Sequence, residues 1–345
     1  MVNLSYDNKM SIRESNFELL RLLSQFYIVL YHIFLMFIYP QSGEAIFKAL
    51  QIPLHVGVVV FVLISGYFSI HATSKGFIKL IGFFLIYSLP EIIYNFLNAE
   101  DTLHSLKALL FFSNSHFWFV KTYAYLYLIS PMLNHFWNES TNKKRIYMII
   151  ALGFIAIYIA TVLGDNSVLD GKNLVNFMFL YFVGRMINQY KYKWEQVSLK
   201  TYISIYLSFN VLIIVVYLLF QNSILKTIIW HLCFPYSSLF LLLNSMLLFL
   251  IFGKFKFQSK IVNKFAASSL AIYLIHANRP YFIGAIGYIA NLILQNSSNC
   301  LVVAVMCILL TMLTLIVAII IDNILSPVWS LLKRIGEITY LKLGF

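Results

Sequence analysis

From Phe17 onward the chain repeats one pattern: a run of mostly apolar residues, then a short loop carrying lysine or arginine. The runs are about 20 residues long, which as a helix crosses a hydrocarbon core of about 30 Å. The pattern therefore predicts an all-α, polytopic integral membrane helical bundle. Composition excludes the soluble alternative, because 61% of the 345 residues are hydrophobic and only 11% are charged.

The runs give about ten transmembrane spans, near 17–39, 52–70, 77–97, 116–136, 146–163, 174–190, 201–220, 228–252, 265–293 and 301–332. Pro90, Pro131 and Pro235 are expected to end or kink their helices. Alternate loops divide the basic residues unequally. Lys9, Arg13, Lys75, Lys79, Lys143, Lys144, Arg145, Lys191, Lys193, Lys200, Lys254, Lys256, Lys260, Lys264, Lys333, Arg334 and Lys342 fall on one side; Lys48, Lys107, Lys172 and Lys226 fall on the other. By the positive-inside rule both termini are cytoplasmic. One integral-membrane domain, 1–345, is expected, with 1–16 a short cytoplasmic N-terminal segment and 333–345 a cytoplasmic tail.

The net charge of +12 is spread through these loops, so it reads as a topology signal and not as a nucleic-acid surface. Cys233, Cys300 and Cys307 lie in or beside apolar runs without metal-ligand spacing. His55, His104 and His116 fall near the outer face, and no histidine–carboxylate cluster predicts a metal site.

Chemistry enters through the first span. Arg21 and His32 are eleven positions apart, which returns a helix to within about 20° of the same face, about 16 Å further along. Glu18 lies three residues before Arg21, within pairing range on that face. Ionisable groups inside a membrane are costly and need a partner or a wet cavity. A partner is available: His276 follows Lys264 by twelve positions on the ninth span, at a depth matching His32. Two histidines at one depth predict a shared polar cavity. Ser65-Gly66 reads as a close helix contact, since small residues let membrane helices approach. Trp118 reads as an interfacial anchor.

Four stretches together carry a family resemblance. Ser15-Asn16-Phe17-Glu18-Leu19-Leu20-Arg21, ten residues and His32 resemble the opening of the membrane acyltransferase-three family. Phe61-Val62-Leu63-Ile64-Ser65-Gly66-Tyr67 is similar to its second-helix motif. Trp118-Phe119-Val120 with Tyr127-Leu128-Ile129-Ser130-Pro131, and Ser269 through Tyr273-Leu274-Ile275-His276, resemble two later motifs in the right order. One departure stands out. Where family members often carry Arg-x-x-Arg, this chain has Lys75 and Lys79, which keeps charge but not the planar guanidinium.

The resemblance implies an O-acetyltransferase of envelope or capsule polysaccharide in a bacterial cell membrane. Acetyl-CoA is the implied acyl donor, and a polysaccharide or lipid-linked saccharide is the acceptor. No metal is implied. His32 is the expected base or transient acyl carrier, because a group titrating near neutrality suits proton removal from a hydroxyl. Arg21, with Lys75 and Lys79, is expected to hold the donor, and Glu18 to orient Arg21. His276 and Tyr273 are expected to line the acceptor side. A flippase of lipid-linked sugars would show inverted repeats, and an envelope glycan polymerase would carry a large outer loop; neither feature is present.

Overall fold

The computed structural model describes residues 13–98, 117–163, 170–221, 223–278 and 280–331. Lys9, Lys107, His104, His116 and the 333–345 tail lie outside the described residues. Every regular element among the described residues is helical. The principal helices are α1 Ser15–Ile33, α2 Ala45–Leu54, α3 Gly57–Phe68, α4 Ser74–Leu97, α5 Trp118–Glu139, α6 Asn142–Gly153 and α7 Leu174–Gln189. There follow α8 Leu199–Leu219, α9 Ile224–Cys233, α10 Leu239–Lys254, α11 Lys260–Ala266, α12 Ser269–His276, α13 Gly287–Asn296 and α14 Cys300–Ile324. π-helical turns occupy Phe34–Ile38, Phe154–Val162 and Pro280–Ile286.

Five helical stretches among the described residues are long and apolar enough to cross a membrane: Ser15–Ser42, Ala45–Phe68, Ser74–Leu97, Leu199–Leu219 and Cys300–Ile324. Two of the apolar runs in the C-terminal half are divided. The run expected at 228–252 breaks between α9 and α10 at Pro235. The run expected at 265–293 becomes α11, α12, the Pro280–Ile286 turn and α13. Hydropathy sees continuous apolar character there, whereas the backbone changes direction inside it.

Side-chain caps set several starts. Thr73, Asn173, Ser198, Ser238, Ser259 and Asn299 each accept a hydrogen bond from a backbone N–H in the first turn of α4, α7, α8, α10, α11 and α14 respectively. Pro90 and Pro131 do not end their helices; both lie inside them. At Pro131 the local chemistry explains this. Proline cannot bond the carbonyl four residues back, which is that of Tyr127. The Ser130 hydroxyl donates to that carbonyl instead, at 2.8 Å.

α1 is the central element and packs against α2, α3, α10, α11, α12 and α14. Its start is pinned from outside. Ser15 Oγ donates to Asn263 Oδ1 at 2.9 Å and accepts from the Ser259 N–H at 2.8 Å, while Asn16 Nδ2 donates to the Phe252 carbonyl at 3.0 Å. The closest helix contact is α3 on α7. A Cβ at Gly66 would overlap the Tyr181 carbonyl, and one at Gly184 would overlap the Leu63 carbonyl. Ser65-Gly66 is thus a point of backbone approach, as small residues permit.

Candidate functional site

One stripe of α1, continued by the Phe34–Ile38 turn, lines two cavities in succession. Arg21 and Gln25 face the first, while Ile28, His32 and Met36 face the second. The other walls follow the same order. On α12, Ser269 and Leu270 line the first cavity and His276 lines the second, while Tyr273 lines both. On α3, Ser65 and Phe61 belong to the first and Val58 to the second. The Arg21 cavity has a volume of about 240 Å³ and the histidine cavity about 210 Å³.

In the Arg21 cavity, Arg21 donates to Glu18 Oε1 at 2.7 Å. The carboxylate is almost fully buried, and the guanidinium is about one-third exposed. Glu18 therefore fixes the direction of Arg21 and leaves other guanidinium donors facing outward. Ser65 Oγ donates to the Phe61 carbonyl at 2.9 Å and lies 3.2 Å from the Tyr123 hydroxyl. Gln25 is 2% exposed, and its Oε1 has no partner. Lys75 and Lys79 do not line this cavity. They are exposed on the first turns of α4, whose Leu80 does line it.

In the histidine cavity, His32 Nδ1 and His276 Nε2 are 3.1 Å apart, with rings inclined by 27°. His276 is completely buried, and its Nδ1 lies 2.9 Å from the Ile272 carbonyl. A carbonyl only accepts, so His276 carries its proton on Nδ1. Its Nε2 is then an acceptor, and His32 must donate to it from Nδ1. Neutral His32 is held in one tautomer, with its Nε2 lone pair free for the cavity. Phe282 meets both imidazoles edge-on, at 6.1 Å from His32 and 5.7 Å from His276. Protonation at His32 Nε2 would leave the Nδ1–H bond to His276 intact. The pair is therefore built to accept a proton without rearranging, as a general base requires.

The structure brings together Glu18 with Arg21, and His32 with His276, each pair as the helical spacing and the matched depth predict. Trp118 also lines the histidine cavity, beside Tyr236 at 5.0 Å. Sequence reasoning did not find Tyr236 or Phe282. Tyr236 comes from the irregular link after Pro235 and Phe282 from a π-helical turn, so neither belongs to a regular helical stripe.

Apolar membrane-length helices around a buried polar centre are those of a membrane protein with internal polar cavities. A family model described as an acyltransferase domain matches residues 14–323, and the chain belongs to that membrane acyltransferase-3 family. It is accordingly an acyltransferase. Neither a curated protein nor a solved structure matches the chain.

Proposed function

We propose that the chain is an O-acetyltransferase of the bacterial cell membrane. It takes acetyl from acetyl-CoA and delivers it to a hydroxyl of a cell-surface polysaccharide or its lipid-linked precursor. The residues form one integral domain of about ten spans with both termini cytoplasmic, so the Arg21 cavity faces the donor side. The observation that carries this reading is the His32–His276 pair, which leaves one unprotonated imidazole nitrogen facing a cavity.

The donor set suits a coenzyme A thioester. Arg21 offers charge for a phosphate or an amide carbonyl. The orphaned Gln25 Oε1 matches an amide N–H of the pantetheine arm. Lys75 and Lys79, exposed at the same end, supply point charge for the outer phosphates. In the transfer step His32 Nε2 takes the proton of the acceptor hydroxyl as its oxygen attacks the thioester carbonyl. The new C–O bond forms, the C–S bond breaks, and the thiolate leaves. His276 keeps the resulting imidazolium oriented, and Tyr273 lines the path between the cavities.

Proton NMR of surface polysaccharide, before and after mild alkali, tests this in cells with and without the chain. The alkali-labile acetyl signal is expected to vanish on deletion. The native chain should restore it, and a membrane-inserted His32→Ala should not. An acetyl signal unchanged by deletion would overturn the acceptor assignment; full activity of His32→Ala would overturn the base.

A further inference from the structure

We propose that His55, with Tyr31 and Tyr236, forms the subsite that receives the acceptor sugar in the histidine cavity; this rests on the function proposed above. His55 follows the last residue of α2 and lines that cavity. It is 7% exposed, and neither Nδ1 nor Nε2 has a hydrogen-bond partner. Buried polar atoms rarely go without a partner, so two on one ring call for an explanation, and a polar ligand in this cavity supplies one. The ring itself is held firmly. Tyr31 lies 4.5 Å away, Tyr236 lies 4.4 Å away, and Phe234 meets it edge-on at 5.8 Å.

The chemistry that His55 offers is specific. A neutral imidazole with both nitrogens free offers one donor and one acceptor in fixed directions. A sugar hydroxyl both donates and accepts, so it can pair with either nitrogen. The neighbouring Tyr236 and Trp118 rings, inclined by 44°, offer apolar surface for the C–H face of the same sugar. An acyl chain would leave both nitrogens unsatisfied. Among the described residues no group of three or more histidine, cysteine or acidic side chains is arranged to hold a metal. Tyr31 precedes His32 on α1, with its ring 5.4 Å from the His32 ring, so a sugar anchored at His55 lies next to the base.

The test uses the full chain in lipid vesicles with labelled acetyl-CoA at saturation. The titrant is surface polysaccharide stripped of O-acetyl groups by alkali. His55→Phe keeps the ring packing and removes both nitrogens. It is expected to raise the half-saturating polysaccharide concentration about tenfold, the loss of one neutral hydrogen bond. The maximal rate and the half-saturating acetyl-CoA concentration should stay near native. His55→Gln, which restores a donor and an acceptor, should recover part of the loss, and thermal unfolding midpoints show whether each variant folds. Native polysaccharide saturation in folded His55→Phe would overturn the subsite while leaving the proposed function standing. An equal loss in acetyl-CoA saturation would also overturn it. A native chain that consumes acetyl-CoA without labelling the polysaccharide would overturn both.

Discussion

Replacing His276 with Phe isolates the part that the second imidazole plays. The hydrogen bond from His32 Nδ1 is lost, while the ring still fills the space between Tyr273 and Phe282, which meet His276 edge-on at 5.5 and 5.7 Å. His32 is then free to carry its proton on either nitrogen, and its imidazolium loses an acceptor in a site without exposure at His276. Leaving a buried donor unpaired costs about 1–3 kcal/mol. At 1.36 kcal/mol per decade, that lowers kcat by roughly 5- to 160-fold. Half-saturation by acetyl-CoA should hold, because His276 does not line the Arg21 cavity. His276→Gln keeps an oxygen in reach of His32 Nδ1 and should fall between the two. The assay is initial rate of label transfer in vesicles, with unfolding midpoints as the folding control. A folded His276→Phe protein with kcat within about twofold of native would refute the tautomer argument, since the predicted loss is at least about fivefold.

Arg21→Ala should raise the half-saturating acetyl-CoA concentration by about tenfold or more, the scale of a charge-assisted bond, and saturation kinetics on the donor would show it. Gly66→Ala and Gly184→Ala each drive a methyl group into the backbone of the facing helix. Each should destabilise the protein by about 1–3 kcal/mol or more, read as a lower unfolding midpoint in detergent. Lys256 Nζ donates to Glu195 Oε1 at 2.9 Å, and this bond holds the Glu195 carboxyl below its ordinary range. A depressed carboxyl stabilises the fold above its unfolded pKa and ceases to do so as the pH falls through its folded one. Glu195→Gln should therefore lower the unfolding midpoint slightly at neutral pH and leave it unchanged in strong acid.

What the sequence revealed depended on regular geometry. The Glu18, Arg21 and His32 stripe follows from 3.6-residue periodicity, and α1 keeps that period from Ser15 to Ile33. His276 was legible as the partner of His32 because two helices entering from one side reach equal depth after equal residue counts. Gly66 was legible as a contact point, whereas its counterpart Gly184 was a single glycine in an apolar run with nothing to distinguish it. Lys75 and Lys79 show the limit of charge reading: their positions mark the end of a span, but the side chains stay outside the cavity wall. His55 was seen only as an outward histidine. Its place beside Tyr31 and Tyr236 depends on the α2–α3 junction and on the link after Pro235, and irregular backbone carries no period that could have announced it. The break of the apolar run around α12 was hidden for a related reason, since a π-helical turn is as hydrophobic as the helices it separates.

The place of Tyr273 has a consequence for the function proposed above. Its ring stands where the two cavities adjoin, 5.3 Å from Phe119 and edge-on to His276. A protein that admits water-soluble groups from opposite faces risks becoming a leak, and each charge crossing at 100 mV dissipates about 2.3 kcal/mol. On the function proposed above, Tyr273 is the ring past which any such leak between the chambers would have to run.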